Sequence, residues 1–438
     1  MKKIVLSLFL GFTVLLASAQ TTPVAENATG VIRFSLNECL EYAFGNNFTR
    51  KNMLLNETVK QEVYDQSKLE RLPNVNASLS ENWRHSDDAG SSLGGSYGIS
   101  AGVTLYQGGA ITNTIEENKL QMEQTQLQTK QYENDLVINI LESFLTVLGN
   151  EELLKYQHTL LTASEEQVAQ GKAQYMADEI LESDYLMLEA QYASDKANII
   201  DTEIARDNSL LNLKSLLSMD PEVDLRIIYP DTAILQQMTL IPLRETVIER
   251  AIETWPDLKI SQYDVDIANV NVKIAKASYF PTVSLSGSVN SGHNKNFQNF
   301  GNQLKNNLNE QIGLSVSVPI WDRGRTKLQT TQSKIALQQA ENNKQQTELE
   351  IRQQITQQHL NVTSALNKYN TNEIKHKAYS QTFDVYRALF NAGSITAVDL
   401  LQQQNNYISA LTDYVQSKYN FILRRKILDV YMGIDVTM

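Results

Sequence analysis

Five histidines, one cysteine and a pair of aspartates in matching places are the side chains whose chemistry could define this chain. His85, His158, His293, His359 and His376 are scattered, without the close spacing that metal ligands need. Asp87 and Asp88 adjoin a Gly/Ser-rich stretch that reads as a solvated loop, with a weak cation site as the alternative. Cys39 has no partner. That excludes an intrachain disulfide and paired-cysteine metal sites, and the residue reads as a small buried hydrophobe. No glycine-rich phosphate loop, zinc-protease helix or nucleophile elbow occurs. Nothing here calls for catalysis, a metal or a cofactor. The aspartates are Asp184 and Asp399, and their interest is positional.

The chain repeats itself. Leu40, Ala43 and Pro73 match Ile248, Ala251 and Pro281 at one constant offset. Tyr106, Gly109 and Asp184 match Trp321, Gly324 and Asp399 at an offset seven residues larger. The extra residues fall between the two strands of the second copy. Pro221, Pro230 and Pro242 cluster between the copies and break helix there. The expected division is therefore 1–19 as a signal peptide, 20–218 as the first repeat, 219–242 as a linker and 243–438 as the second repeat. The signal reading rests on Lys2 and Lys3, the apolar run Ile4 to Leu16, and the small-residue site Ala17-Ser18-Ala19. No cysteine follows that site, so a lipoprotein-type anchor is not expected.

Each copy is expected to read helix, β-hairpin, long helical hairpin. Ser35 with Glu38 has capping-box spacing and starts a helix predicted to run to about Leu72, before Pro73. Its counterpart is predicted from about Leu243 to Phe280, with Trp255-Pro256 disturbing its start. Apolar residues then alternate with small polar ones: Val75, Ala77 and Leu79; Ile99, Ala101 and Val103; Val283 and Leu285; Ile312, Leu314, Val316, Val318 and Ile320. Period two predicts β-hairpins over 74–106 and 282–321, joined by long polar loops, Arg84 to Ser96 and Ser291 to Gln311. Gly109 to Tyr175 and Gly324 to Phe390 contain no proline, and each would be ~100 Å long as one helix at ~1.5 Å per residue. Glutamine crowds the second of these. Such helices suit a thin wall with water on both sides. Shorter helices return over about Glu179 to Ser218 and Thr396 to Met432. Each is expected to stack end to end with the opening helix of its copy.

Composition narrows the setting. Thirty-eight basic against 50 acidic residues give a net charge of -12, which argues against a nucleic-acid partner. A sheet with one apolar face fits two settings, a soluble core or a membrane barrel. Ser, Gly, Asn and Thr on the other face favour a barrel with a watery lumen. So do Trp83, Tyr106 and Trp321 near strand ends, where aromatic belts lie. Four strands cannot close a barrel, and open edges are not tolerated in lipid. Two chains would supply eight strands, whose interior fills with side chains, whereas three would supply twelve and leave a passage. The expected architecture is thus α+β and mostly α: a homotrimer forming a 12-stranded transmembrane β-barrel continuous with an α-helical barrel.

At this point the chain resembles the TolC-like outer-membrane efflux and secretion channels, from Phe34 to about Gly433. Leu105-Tyr106-Gln107-Gly108-Gly109 and Ile320-Trp321-Asp322-Arg323-Gly324 are similar to the family's strand-to-helix turn. Phe390, Gly393, Asp399, Leu400 and Leu401 are similar to its pattern at the periplasmic helix tip. Tyr175, Asp184 and Leu186 match that pattern in the first copy, where Asp178 replaces the expected glycine. The resemblance implies a passive trimeric duct in the outer membrane, with its helical barrel in the periplasm, joined through a periplasmic adaptor to an inner-membrane transporter. It places Asp184 and Asp399 at the pore constriction. Three copies of each would make a ring of carboxylates that favours cations and resists closure. Gln402, where the family often has a further aspartate, makes that ring less acidic. The tip Gly393, Ser394, Ile395 and Thr396 becomes the adaptor-docking site, and a plain helix reversal explains the glycine equally well. A type I protein-secretion duct has the same architecture. A periplasmic coiled-coil scaffold without a pore would explain the helices but not the four strands.

Overall fold

The computed structural model describes residues 31–87, 90–229, 240–294, 299–434 and 436. The expected signal peptide, and 230–239 of the expected linker, lie outside them. After a short strand β1 (Ile32–Phe34) come α1 (Leu36–Asn46) and α2 (Phe48–Leu69). Strands β2 (Asn74–Ser86) and β3 (Gly90–Gln107) follow, then the long α3 (Ala110–Met176) and its return α4 (Glu182–Leu217). Strand β4 (Leu225–Ile227) pairs in parallel with β1. The order then recurs: α5 (Arg244–Thr254), α6 (Pro256–Ala277), β5 (Thr282–His293), a small helix α7 (Phe300–Asn306), β6 (Asn309–Ser317), α8 (Arg325–Asn391) and α9 (Ala397–Tyr431).

The long helices α3 and α8 have 67 residues each, and both start after a glycine in the left-handed conformation, Gly109 at φ 83° and Gly324 at φ 80°. The opening helix is not continuous. It breaks at Asn47, whose side chain accepts from Arg50 N and donates to Leu216 O at 2.9 Å. That break lets the end of α4 abut the α1/α2 junction, where Phe48 N reaches Ser218 Oγ at 3.3 Å. In the second half the break falls at Trp255-Pro256, and the Trp255 ring lies 4.4 Å from that of Tyr431 near the end of α9. In both halves the split in the opening helix falls beside the end of a return helix.

The four-stranded sheet has the order β2-β3-β5-β6, antiparallel throughout. The strands extend further than expected at their far ends. Arg84–Ser86 and Gly90–Ser96 are paired strand, within the stretch expected to be a long loop. The second connection carries α7. At the near end β6 stops at Ser317, short of the expected Ile320.

Two apolar clusters hold the helices together. The larger lies midway along them and joins α1, the 136–148 stretch of α3, the ends of α4 and α9, β4, α5 and part of α8 around Phe144. The smaller lies near the far tips and includes Leu160, Leu188, Phe383, Phe390 and Leu400. Cys39 is fully buried in the larger cluster, where burial pushes its thiol up to about 12.

Candidate functional site: a two-faced sheet and a helical tip

Pairing puts the apolar residues of all four strands on one face. Leu79 lies opposite Tyr97, Ile99 opposite Val289, Val103 opposite Leu285 and Leu285 opposite Leu314. Most of these side chains are exposed, Leu79 at 77%, and Ile312 on the same face is 86% exposed, while Tyr97 and Val103 are half-buried. The other face carries Asn76, Ser78, Ser100, Thr104, Ser284, Ser286 and Ser315 in register. An exposed apolar face this wide is unstable in water and suited to lipid. Among the described residues no helix is long and apolar enough to cross a membrane. The apolar surface is on the sheet.

Trp83, Tyr106 and Trp321 are all exposed. Trp83 sits near the β2/β3 turn, whereas Tyr106 and Trp321 lie at the opposite end, toward the long helices. A bulge between Thr104 and Tyr106 turns Tyr106 opposite Val283, onto the apolar face. Trp321 lies past the end of β6. Glu81, which interrupts the alternation of β2, faces the same side. Its carboxylate accepts from Tyr97 Oη and meets His293 Nε2 at 3.1 Å.

At the far end the two helix reversals converge on one groove of about 600 Å³. Asp178, Glu179, Glu182 and Asp184 line it from the first reversal, and Gly393, Ser394, Ile395 and Thr396 from the second. Both reversals have the same backbone. Asp178 adopts φ 57° where Gly393 adopts φ 71°. The next amide closes the turn in each case, Glu179 N to Gln174 O at 2.8 Å and Ser394 N to Leu389 O at 2.9 Å. The aspartate thus takes the conformation that the glycine takes, as a short polar side chain can.

Asp184 and Asp399 both fall in the first turn of a return helix. Their environments differ. Asp184 is half-buried on the groove. Asp399 is exposed and completes a capping box, its Oδ2 accepting from Thr396 Oγ1 at 2.7 Å and Thr396 N at 3.2 Å. Within one chain, then, Asp399 already has a local task.

Two features escaped the sequence reading. Between the midpoint and the tip, Ser164 on α3, Asp195 on α4 and Gln404 on α9 meet in a buried polar cluster. Asp195 Oδ2 accepts from Ser164 Oγ at 2.5 Å and Gln404 Nε2 at 2.9 Å, and its Oδ1 accepts from Gln191 Nε2 at 2.8 Å. Gln404 is fully buried, and its Oε1 finds no partner among the described residues. Burial raises the Asp195 carboxyl above its ordinary value, and the three hydrogen bonds work against that rise. The folded chain therefore favours the protonated form. The group's contribution to stability is full in acid, below about 4, and is lost as pH rises through the raised value. Asp195→Asn is expected to raise the unfolding temperature at neutral pH, with its carbonyl oxygen still accepting from Ser164 and Gln404 and its new amide donating to a flipped Gln191 side chain, and to flatten the pH dependence. Equal slopes for both proteins in thermal melts from pH 4 to 8 would refute this.

The second feature is an aromatic ladder between α8 and α9. Tyr369, His376 and Phe383 on α8 interleave with Phe421, Tyr414 and Tyr407 on α9, with ring centroids 5.0–6.0 Å apart. Seven-residue spacing on both helices was the available signal.

The family described as "Outer membrane efflux protein" matches residues 42–218 and 247–433. Outer membrane protein TolC of Vibrio cholerae is 23% identical over 83% of this chain and 82% of its own length. Alkaline protease secretion protein AprF of Pseudomonas aeruginosa is 22% identical over 68% of this chain and 62% of its own. In fold, the CmeC outer membrane channel of Campylobacter jejuni superposes with a TM-score of 0.76 at 15% identity, covering 91% of this chain and 85% of that one.

Proposed function

Because this chain belongs to the outer membrane efflux protein family and is a channel protein of the outer membrane, we propose that three copies form one passive duct. The observation that supports this most is the sheet. It has one apolar and one polar face and, among the described residues, an unpaired edge on each side, β2 and β6. Lipid tolerates the apolar face but not the edges, so the sheet calls for closure with other copies. Three copies give twelve strands around a lumen of Ser, Asn, Thr and Gly, with Trp83, Tyr106 and Trp321 as belt residues against outer-membrane lipid.

The two repeats, 20–218 and 243–438 around the 219–242 linker, then supply alternate staves of a periplasmic helical barrel, after loss of 1–19. The groove at Gly393–Thr396 docks a periplasmic adaptor, which connects the duct to an inner-membrane transporter that supplies the energy and selects the substrate. The family's description as outer membrane efflux protein favours an efflux role, and AprF, named for alkaline protease secretion, favours a protein-secretion role. The architecture serves both. No reaction is assigned to the chain itself.

Asp184 and Asp399 form the acidic constriction in this reading. Asp399→Asn retains an acceptor for Thr396 and removes the charge, so it separates pore electrostatics from capping. Purified protein in planar bilayers is expected to be cation-selective. The Asp184→Asn, Asp399→Asn double variant is expected to move the reversal potential in a salt gradient toward zero, a several-fold loss of selectivity. An unchanged potential would remove both residues from the constriction. A protein giving no conductance at all, with negative-stain particles lacking a central hole, would overturn the duct.

A further inference from the structure

Strand parity sorts the charges of the four-stranded sheet as well as its apolar residues. On the polar face, every paired residue of β3, β5 and β6 is Ser, Thr, Asn, Gln or Gly. The same holds for β2 with one exception, Arg84. The acidic residues of the sheet, Glu81 and Glu310, fall on the apolar face, as do His85 and His293. Among the described residues of the four strands, Arg84 is thus the single charge on the side that lines the lumen in the duct.

Arg84 is exposed and forms no ion pair among the described residues. Ser92 lies opposite it across the hairpin, and Asn82 and Ser86 flank it on the same face. Asp87, the acid nearest in sequence, lies 3.8 Å from the ring of His85, a residue of the apolar face.

Its height on the sheet is as telling as its face. β3 and β5 pair outward as far as Gly95 and His293, whereas β2 and β3 continue as a hairpin to Ser86 and Gly90. Glu81 faces Gly95, so Arg84 stands ~10 Å beyond the last β3–β5 pair at ~3.4 Å per residue. The long helices leave the opposite end of the sheet. Arg84 therefore belongs to the outer mouth.

We propose that Arg84 makes this mouth an anion-binding ring, one guanidinium from each copy, which holds a multivalent oxyanion arriving from outside the cell. It rests on the three-copy duct above and adds a ligand at the end remote from the transporter. Twelve strands ~4.8 Å apart and tilted ~40° close at a radius of roughly 12 Å. That is close to the ~10 Å Debye length of 0.1 M salt, so the three charges act together near the axis in dilute salt and separately in concentrated salt. No carboxylate of the strands competes for them on this face. Each guanidinium offers a planar fork of donors that matches phosphate-like oxygens, and the neighbouring serine and asparagine side chains add O–H and N–H donors. A multivalent oxyanion engages several forks at once, which a monovalent one cannot. The carboxylates proposed at the tip repel the same ligand, so it reaches the ring from the outer side.

Tripolyphosphate is the probe. Titrated by calorimetry into the purified full-length assembly in ~0.01 M salt, it is expected to bind, and to lose affinity steeply as salt rises to ~1 M and the Debye length falls to ~3 Å. Arg84→Gln is expected to abolish the binding. Arg84→Lys keeps the charge without the fork and is expected to bind more weakly than the parent but measurably. Ser92→Cys locates the ligand. Cys39 is buried and leaves the background quiet, and tripolyphosphate is expected to slow several-fold the reaction of the new thiol with an anionic thiosulfonate. Equal binding by the parent and Arg84→Gln, an unprotected thiol at position 92, or no binding by particles with a central hole in negative stain would each overturn the ring and leave the duct standing. Particles without a hole would overturn the duct and the ring with it.

Discussion

Leu314→Arg is expected to remove most folded, detergent-extractable assembly from the outer membrane, while Ser315→Arg one residue on is expected to leave it largely intact. Leu314 stands on the apolar face, 65% exposed and opposite Leu285 on the neighbouring strand. It lies well inside the band between the aromatic residues at the two ends of the sheet. A charged side chain at such a depth on a lipid-facing barrel surface costs about 2–4 kcal/mol. In a barrel of three copies that is roughly 6–12 kcal/mol, comparable to the whole stability of a typical domain. Ser315 points to the polar face, where an arginine remains in water and changes selectivity more than folding. Urea unfolding of the extracted assembly, with yield from membranes, reads both variants. The opposite ranking would mean that the two faces have been assigned the wrong way round.

Phe144→Ala should be the most damaging single truncation in the helical part. The helices bury little of their surface in one chain, and α8 in particular is exposed along most of its length. Burial is therefore concentrated at the midpoint, where Phe144 is 1% exposed among Leu36, Leu40, Leu141, Leu213 and Leu217. Emptying a buried phenylalanine site costs about 3–5 kcal/mol, through lost transfer energy and the cavity left behind. Here the cavity would open where α1, α3 and the end of α4 converge, so the junction at Asn47 and Leu216 would loosen too. Chemical denaturation followed by circular dichroism should show the loss. A change of less than about 1 kcal/mol, the range of an ordinary substitution, would show that the midpoint cluster does not hold the helices together.

How much was legible follows from the range of each interaction. Period-two alternation from Val75 to Leu79 and from Ile312 to Val316 is a local pattern, and it located the strands and their faces. The absence of proline between Gly109 and Tyr175 located a helix that ends within a residue of that stretch. What was missed depended on distant partners. Nothing near Asn47 announces that Leu216, far along the chain, will accept its amide, so one opening helix was expected where there are two. Trp255-Pro256 was visible as a disturbance because proline acts locally. Glu81 read as a fault in its strand. Tyr97 and His293, on two other strands, give that carboxylate its place. Ser164, Asp195 and Gln404 look like ordinary helix-surface residues until three helices bring them together. The seven-residue spacing of Tyr369, His376 and Phe383 is local, but the rings they meet, Tyr407, Tyr414 and Phe421, lie on another helix. Val318 to Ile320 are the opposite case: the apolar alternation continues there, but Pro319 has no N–H to give a ladder and β6 stops at Ser317.

The matched lengths of α3 and α8 carry a consequence for how such a protein can change over generations. Each is 67 residues, begins after a left-handed glycine and ends in the same reversal. Together they work as a ruler, setting how far the tip stands from the sheet. An insertion in one alone would shift one reversal ~1.5 Å per added residue past the other and rotate its packing stripe by ~100° each time. The shared groove would then be split. A longer or shorter ruler is therefore open to the lineage only through coordinated edits in both repeats and in the return helices α4 and α9. Eleven residues, close to three whole turns, is a step that would keep every stripe facing its neighbour. Reach across the space beneath the sheet should accordingly be inherited as a discrete trait, far more resistant to drift than the side chains along the way.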